Sequence, residues 1–130
     1  MMTSAQLAPV PTSAAEARQL VDRTLREWGC DDLLENARLI VTELVSNAVR
    51  HSQSNDAMNL TIELHHGVMR ISLEDVGSDG LIEVVTTDVT SERGRGLRLI
   101  EGLSDSWGVD RRDHHKTVWA EFHVDVRPSA

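Results

Sequence analysis

A carboxylate, a carboxamide and a guanidinium stand at Glu43, Asn47 and Arg50 in the run ELVSNAVRHS. At about 100° per helical residue, Asn47 lies about 40° from Glu43, and Arg50 about 20° to the other side. One narrow strip of a helix therefore carries all three, with His51 close behind. A glutamate so placed serves as a general base toward water or a hydroxyl. Asparagine offers a neutral carbonyl oxygen, suited to a Mg²⁺ whose other ligands are phosphates and water. Arginine meets phosphate directly. Taken alone, the strip reads more readily as a Glu–Arg helix pair beside a locally bonded asparagine.

Two further runs bear on that choice. In EDVGSDG, Asp75 ends an alternating segment and Gly77 lies just beyond it. A carboxylate there accepts a hydrogen bond from an exocyclic amine such as that of adenine, and a glycine lets backbone approach a flat ring. In GRGLRLI, Gly94 and Gly96 open a helical pattern. The free N–H groups and dipole of a helix start favour phosphate. Each run alone is weak, since turns and glycine-opened helices are common.

The elements that must position these groups are legible from periodicity. Thr12-Ser13 offers an N-cap, with Glu16 placed for a capping box from Ser13. Ala17, Leu20, Val21, Leu25 and Trp28 then recur at helical spacing until Gly29 stops the helix. Asp31 or Asp32 caps a second helix, whose stripe runs from Leu33 and Leu34 through Ala37, Ile40, Val41, Leu44 and Val45 to Ala48. Met58, Leu60, Ile62 and Leu64 alternate with polar residues, as do Met69, Ile71 and Leu73, and Gly67 joins the two into a hairpin. A loop with a short strand at Leu81 to Val85 precedes a glycine-opened helix. The final alternating run, KTVWAEFHVDV, pairs with a strand around Ser106 to Arg111. Residues 1–11 read as a flexible arm with one short edge strand, residues 12–126 as one domain, and residues 127–130 as a frayed tail. The expected fold class is α+β: a two-layer sandwich of a mixed, mostly antiparallel sheet with about three helices on one face.

Composition narrows the function classes. The chain has 130 residues, 40% hydrophobic and 26% charged, enough for one domain with a real core. A formal charge of -8 repels phosphate backbones, so direct nucleic-acid binding is not expected. Of the thirteen basic residues, only Lys116 is a lysine. The single cysteine, Cys30, reads as a structural thiol and suits a reducing compartment. No apolar run approaches a membrane span and no signal peptide is evident, so a cytoplasmic protein is expected. His65-His66 and His114-His115 sit at hairpin ends and, as strand neighbours, point to opposite faces, so no metal site is expected of them.

In this order and at these spacings, the chain resembles the ATP-binding domain shared by histidine kinases, DNA gyrase, the heat-shock chaperone and mismatch-repair ATPases, the Bergerat fold. ELVSNAVRHS resembles its N box, EDVGSDG its first glycine box, GRGLRLIEGLSD its second, and KTVWAEF its final strand. The short single domain is most similar to the stand-alone bacterial anti-sigma-factor and serine-protein-kinase branch. The resemblance implies ATP and Mg²⁺ as ligands, with Asn47 on the metal and Glu43 as general base. Asp75 would read the adenine amine, with Gly77 beside the ring. Gly94 and Gly96 would lie near the phosphates, Thr117 near the base, and Arg50, by a weaker match, in the same pocket. It also implies partner switching in transcription regulation: binding a sigma factor, and phosphorylating a serine of an antagonist protein. A homodimer stays open. Asp79 stands where the first glycine box usually has a second glycine, and Glu83, Asp88 and Glu92 follow. These acids motivate the alternative, a protein-binding module on the same fold that binds nucleotide weakly or has lost catalysis.

Overall fold

The structure, a computed structural model, describes residues 1–51, 55–76 and 99–124. Its first helix, α1, spans Ser13–Glu27 and buries Ala17, Leu20, Val21 and Leu25, as the periodicity requires. The helix stops where Gly29 takes a φ of 71°. Gly29 N–H donates to Arg26 C=O and Cys30 N–H to Leu25 C=O, the paired bonds of a Schellman motif. Its start agrees with the expected N-cap position and differs in the capping. The N-cap is Thr12, without a side-chain capping bond, and no capping box forms. Ser13 is buried and its hydroxyl donates instead to Ala8 C=O at 2.6 Å. The same carbonyl also accepts from Val10 N–H, so the hydroxyl ties down the preceding turn and is not available to the first N–H groups of the helix.

The second helix, α2, spans Leu34–His51 and buries Ala37, Ile40, Val41, Leu44, Val45 and Ala48. Neither Asp31 nor Asp32 caps it. A 3₁₀ turn over Asp31–Leu33 runs straight into the helix. The N–H groups that a cap would have satisfied begin to bond one turn earlier, with Leu33 N–H donating to Cys30 C=O.

Among the described residues five strands form one sheet: β1 (Met2–Leu7), β2 (Met58–His65), β3 (Val68–Val76), β4 (Ser106–Arg112) and β5 (His115–His123). Their order is β1-β2-β3-β5-β4 and every pairing is antiparallel. The expected edge strand of the N-terminal arm is β1, which pairs along its whole length with β2. The β2–β3 hairpin turns on His66 and Gly67, both at positive φ, the backbone of a tight two-residue turn that matches strand twist. Alternation sorts each strand cleanly. Met58, Leu60, Ile62, Met69, Ile71, Leu73, Val118, Ala120 and Phe122 face the helices and are buried with α1 and α2. Residues 99–103 are helical and insert Ile100 into the same core. The expected strand at Leu81 to Val85, and the start of the glycine-opened helix, lie outside the described residues.

Candidate functional site

All the described candidate residues collect at one end of the molecule, because the chain enters and leaves the sheet there. The last turns of α2 lead through residues 52–57 into the start of β2. Beside that start lies the end of β3, since the two strands pair antiparallel. Beyond β3 stands the β4–β5 hairpin, with Arg112 opposite His115. Glu43, Asn47 and Arg50 come down α2 toward this end. Asn47 is buried, with 7% of its surface exposed, while Glu43 is half-buried and Arg50 exposed. Among the described residues no ion pair involves Glu43 or Arg50, so the strip is not a Glu–Arg helix pair.

Asp75 extends the core-facing series Met69, Ile71, Leu73 by one more step. Period-two alternation thus carries a carboxylate onto the helix-facing side, where it is only 4% exposed. Its Oδ2 has no hydrogen-bond partner among the described residues. Burial pushes the carboxyl above its ordinary range, and the nearby Lys116 ammonium pulls it partly back. An unmet buried acceptor is costly, so a ligand's donor at this atom would be favourable.

The residue facing Asp75 across the β3–β5 ladder is Lys116, and it too is only 4% exposed. Thr117, the residue expected near the base, faces the other way. It pairs with Glu74 and Asp110 on the outer side of the sheet, where Arg70, Glu74, Asp110, Arg112 and His115 line a shallow groove with it. Lys116 was missed because the sequence resemblance places a threonine one residue on. The signal was available: Lys116 shares the parity of Val118, Ala120 and Phe122. Gly77, Gly94 and Gly96 lie outside the described residues, as does Asp79.

The donors present fit Mg²⁺·ATP. Among the described residues no three His, Cys, Asp or Glu side chains gather as a metal cage. The candidate donor is Asn47, a lone neutral oxygen on α2, which suits a magnesium ion that keeps phosphate and water ligands. The orphaned Asp75 oxygen suits a purine amine. Cys30 is no rival site: burial, reinforced by Asp31 and Asp32, pushes its thiol up, away from the reactive thiolate. Among the described residues no helix is long and apolar enough to cross a membrane.

The family model of the histidine kinase-like ATPase domain matches residues 7–122. The chain belongs to that family, and its α+β architecture is of the Bergerat type. A search of curated proteins gave no match.

Proposed function

We propose that the chain is an ATP-binding regulatory protein of the anti-sigma-factor and serine-protein-kinase type, working with Mg²⁺. The observation that carries the reading is the buried, unpartnered Asp75 oxygen at the same end of the fold as the Glu43–Asn47 strip. Asp75 accepts the hydrogen bond of the adenine amine. Asn47 would hold the Mg²⁺ through its side-chain carbonyl oxygen. Glu43, half-buried on α2, would orient a serine hydroxyl of a partner protein and take its proton. Bound Mg²⁺·ATP supplies the transferable phosphoryl group, and Gly94 and Gly96 stand in sequence where a helix start stabilises phosphate charge. The protein partners are a sigma factor, which it inhibits, and an antagonist whose phosphorylated serine resets the switch.

Titration with a fluorescent ATP analogue tests the nucleotide half. Binding should tighten with Mg²⁺, and Asn47→Ala should remove that dependence. No binding at millimolar nucleotide would sink the proposal. Incubation with labelled ATP and a candidate antagonist tests the kinase half, where phosphoserine should form and disappear in Glu43→Ala. The acids Asp79, Glu83, Asp88 and Glu92 favour a second reading, a partner-binding module with weak nucleotide affinity. Partner binding that is unchanged with and without ATP, and no phosphoserine, would select it.

A further inference from the structure

The helix-facing end of the sheet carries a row of three charged residues, one from each of three neighbouring strands. Asp75 on β3 faces Lys116 on β5, and Lys116 faces Arg111 on β4. Lys116 is the only lysine of the chain, and it is buried. The row is not closed on itself. Asp75 Oδ2 and one terminal nitrogen of Arg111 are both buried without a hydrogen-bond partner among the described residues. Lys116 acts on the Asp75 carboxylate through space, and no contact ion pair joins them. A buried acceptor on β3 and a buried donor on β4 thus flank Lys116 on the strand between them, and neither has a partner among the described residues.

A lone carboxylate in a base pocket accepts from an N–H of the base and offers nothing to a carbonyl. It accepts from the 6-amino group of adenine and repels the 6-carbonyl of guanine or hypoxanthine, whose lone pairs would face its own. An ammonium changes that rule, because it has three donors and no acceptor. Beside Asp75, it meets a carbonyl with a charge-assisted hydrogen bond. The ring N1–H of a 6-oxopurine then donates to Asp75. In adenine the roles exchange: the amine donates to Asp75 and ring N1 accepts from Lys116. Both kinds of purine thus make two bonds to the same pair. Arg111 adds a second cation behind Lys116, so the row carries more positive than negative charge, which favours the electron-rich carbonyl.

We propose that Lys116 is a specificity-determining residue of the nucleotide site, and that with Asp75 it makes the site accept 6-oxopurine nucleotides, guanine or hypoxanthine, as well as adenine nucleotides. This rests on the reading of Asp75 as the base-recognising carboxylate. The test is calorimetric titration of the full chain with Mg²⁺ and ATP, GTP or ITP in turn. Wild-type protein should bind GTP and ITP within about tenfold of ATP. Lys116→Met keeps length and apolar bulk but removes the donor, so it should weaken GTP and ITP at least tenfold relative to ATP. Lys116→Arg keeps the donor and should hold the wild-type ratio, which also serves if the methionine variant does not fold. ATP binding with GTP and ITP undetectable at a hundredfold higher concentration would overturn the proposal and leave the ATP reading standing. So would a Lys116→Met variant with an unchanged ratio. Failure of all three nucleotides to bind would overturn both.

Discussion

Asp75 and Asp22 are carboxylates with opposite histories. Asp75 is buried on the helix-facing side opposite Lys116, and its pKa is raised, chiefly by desolvation. Its folded form holds a proton that the unfolded chain has already lost, so stability falls as pH rises from about 3.8 up through the raised folded value. Urea unfolding of wild-type protein and Asp75→Asn across that window should show the wild-type advantage shrinking with pH, and the variant should lose nucleotide binding. Asp22 lies at the surface, where the hydrogen bond from Arg38 lowers its pKa. Its contribution is present above 3.8 and lost as pH falls through the lowered folded value. Because the pair is well exposed, Arg38→Ala should shift the unfolding midpoint only slightly at neutral pH. The functional carboxylate is thus the one whose charged form the fold disfavours, which fits a group awaiting a ligand.

Strands and helices hold that carboxylate through apolar burial on one side only. The opposite face of the sheet is polar, and its centre is organised around Trp119. The Arg70 guanidinium lies 4.5 Å from the Trp119 ring centroid and also reaches Glu121 and Asp110. The ring lies across Gly108, where an added Cβ would stand 2.7 Å from Trp119 Cζ2. Gly108→Ala should therefore displace the indole and cost about 1 kcal/mol or somewhat more, read as a lower thermal midpoint and a changed tryptophan emission. On the helix side, Leu44 of α2 is 1% exposed. Leu44→Ala should cost about 2–5 kcal/mol, through lost burial and the cavity left under the helix that presents Glu43 and Asn47. A variant that still folds should bind nucleotide less tightly, because the helix would no longer be held firmly against β3.

At the scale of the whole molecule, ligand binding and stability are linked. A nucleotide bound to the folded chain at a hundred times its dissociation constant should add about 2.7 kcal/mol, on the order of 10 °C in thermal midpoint for a domain of this size. Scanning fluorimetry with Mg²⁺·ATP should show that rise, and Asn47→Ala should show the same rise with or without Mg²⁺. Much of the architecture behind this was already legible in the amino-acid order. Periodicity alone marked α1 and α2, both hairpins and the buried face of every central strand. It carried Asp75 onto that face and set Glu43 and Asn47 on one strip, because side-chain direction follows local backbone geometry. At two helix starts the expected side-chain caps do not form, because the Ser13 hydroxyl ties back to Ala8 C=O and a 3₁₀ turn runs into α2. What stands opposite Asp75 was decided only in three dimensions. β3 and β5 pair across a long stretch of chain, and a shift of one residue in that register turns every side chain to the other face. The register brings the chain's one lysine to the buried carboxylate and sends Thr117 to solvent, because long-range pairing follows the fit of whole apolar faces rather than any local pattern.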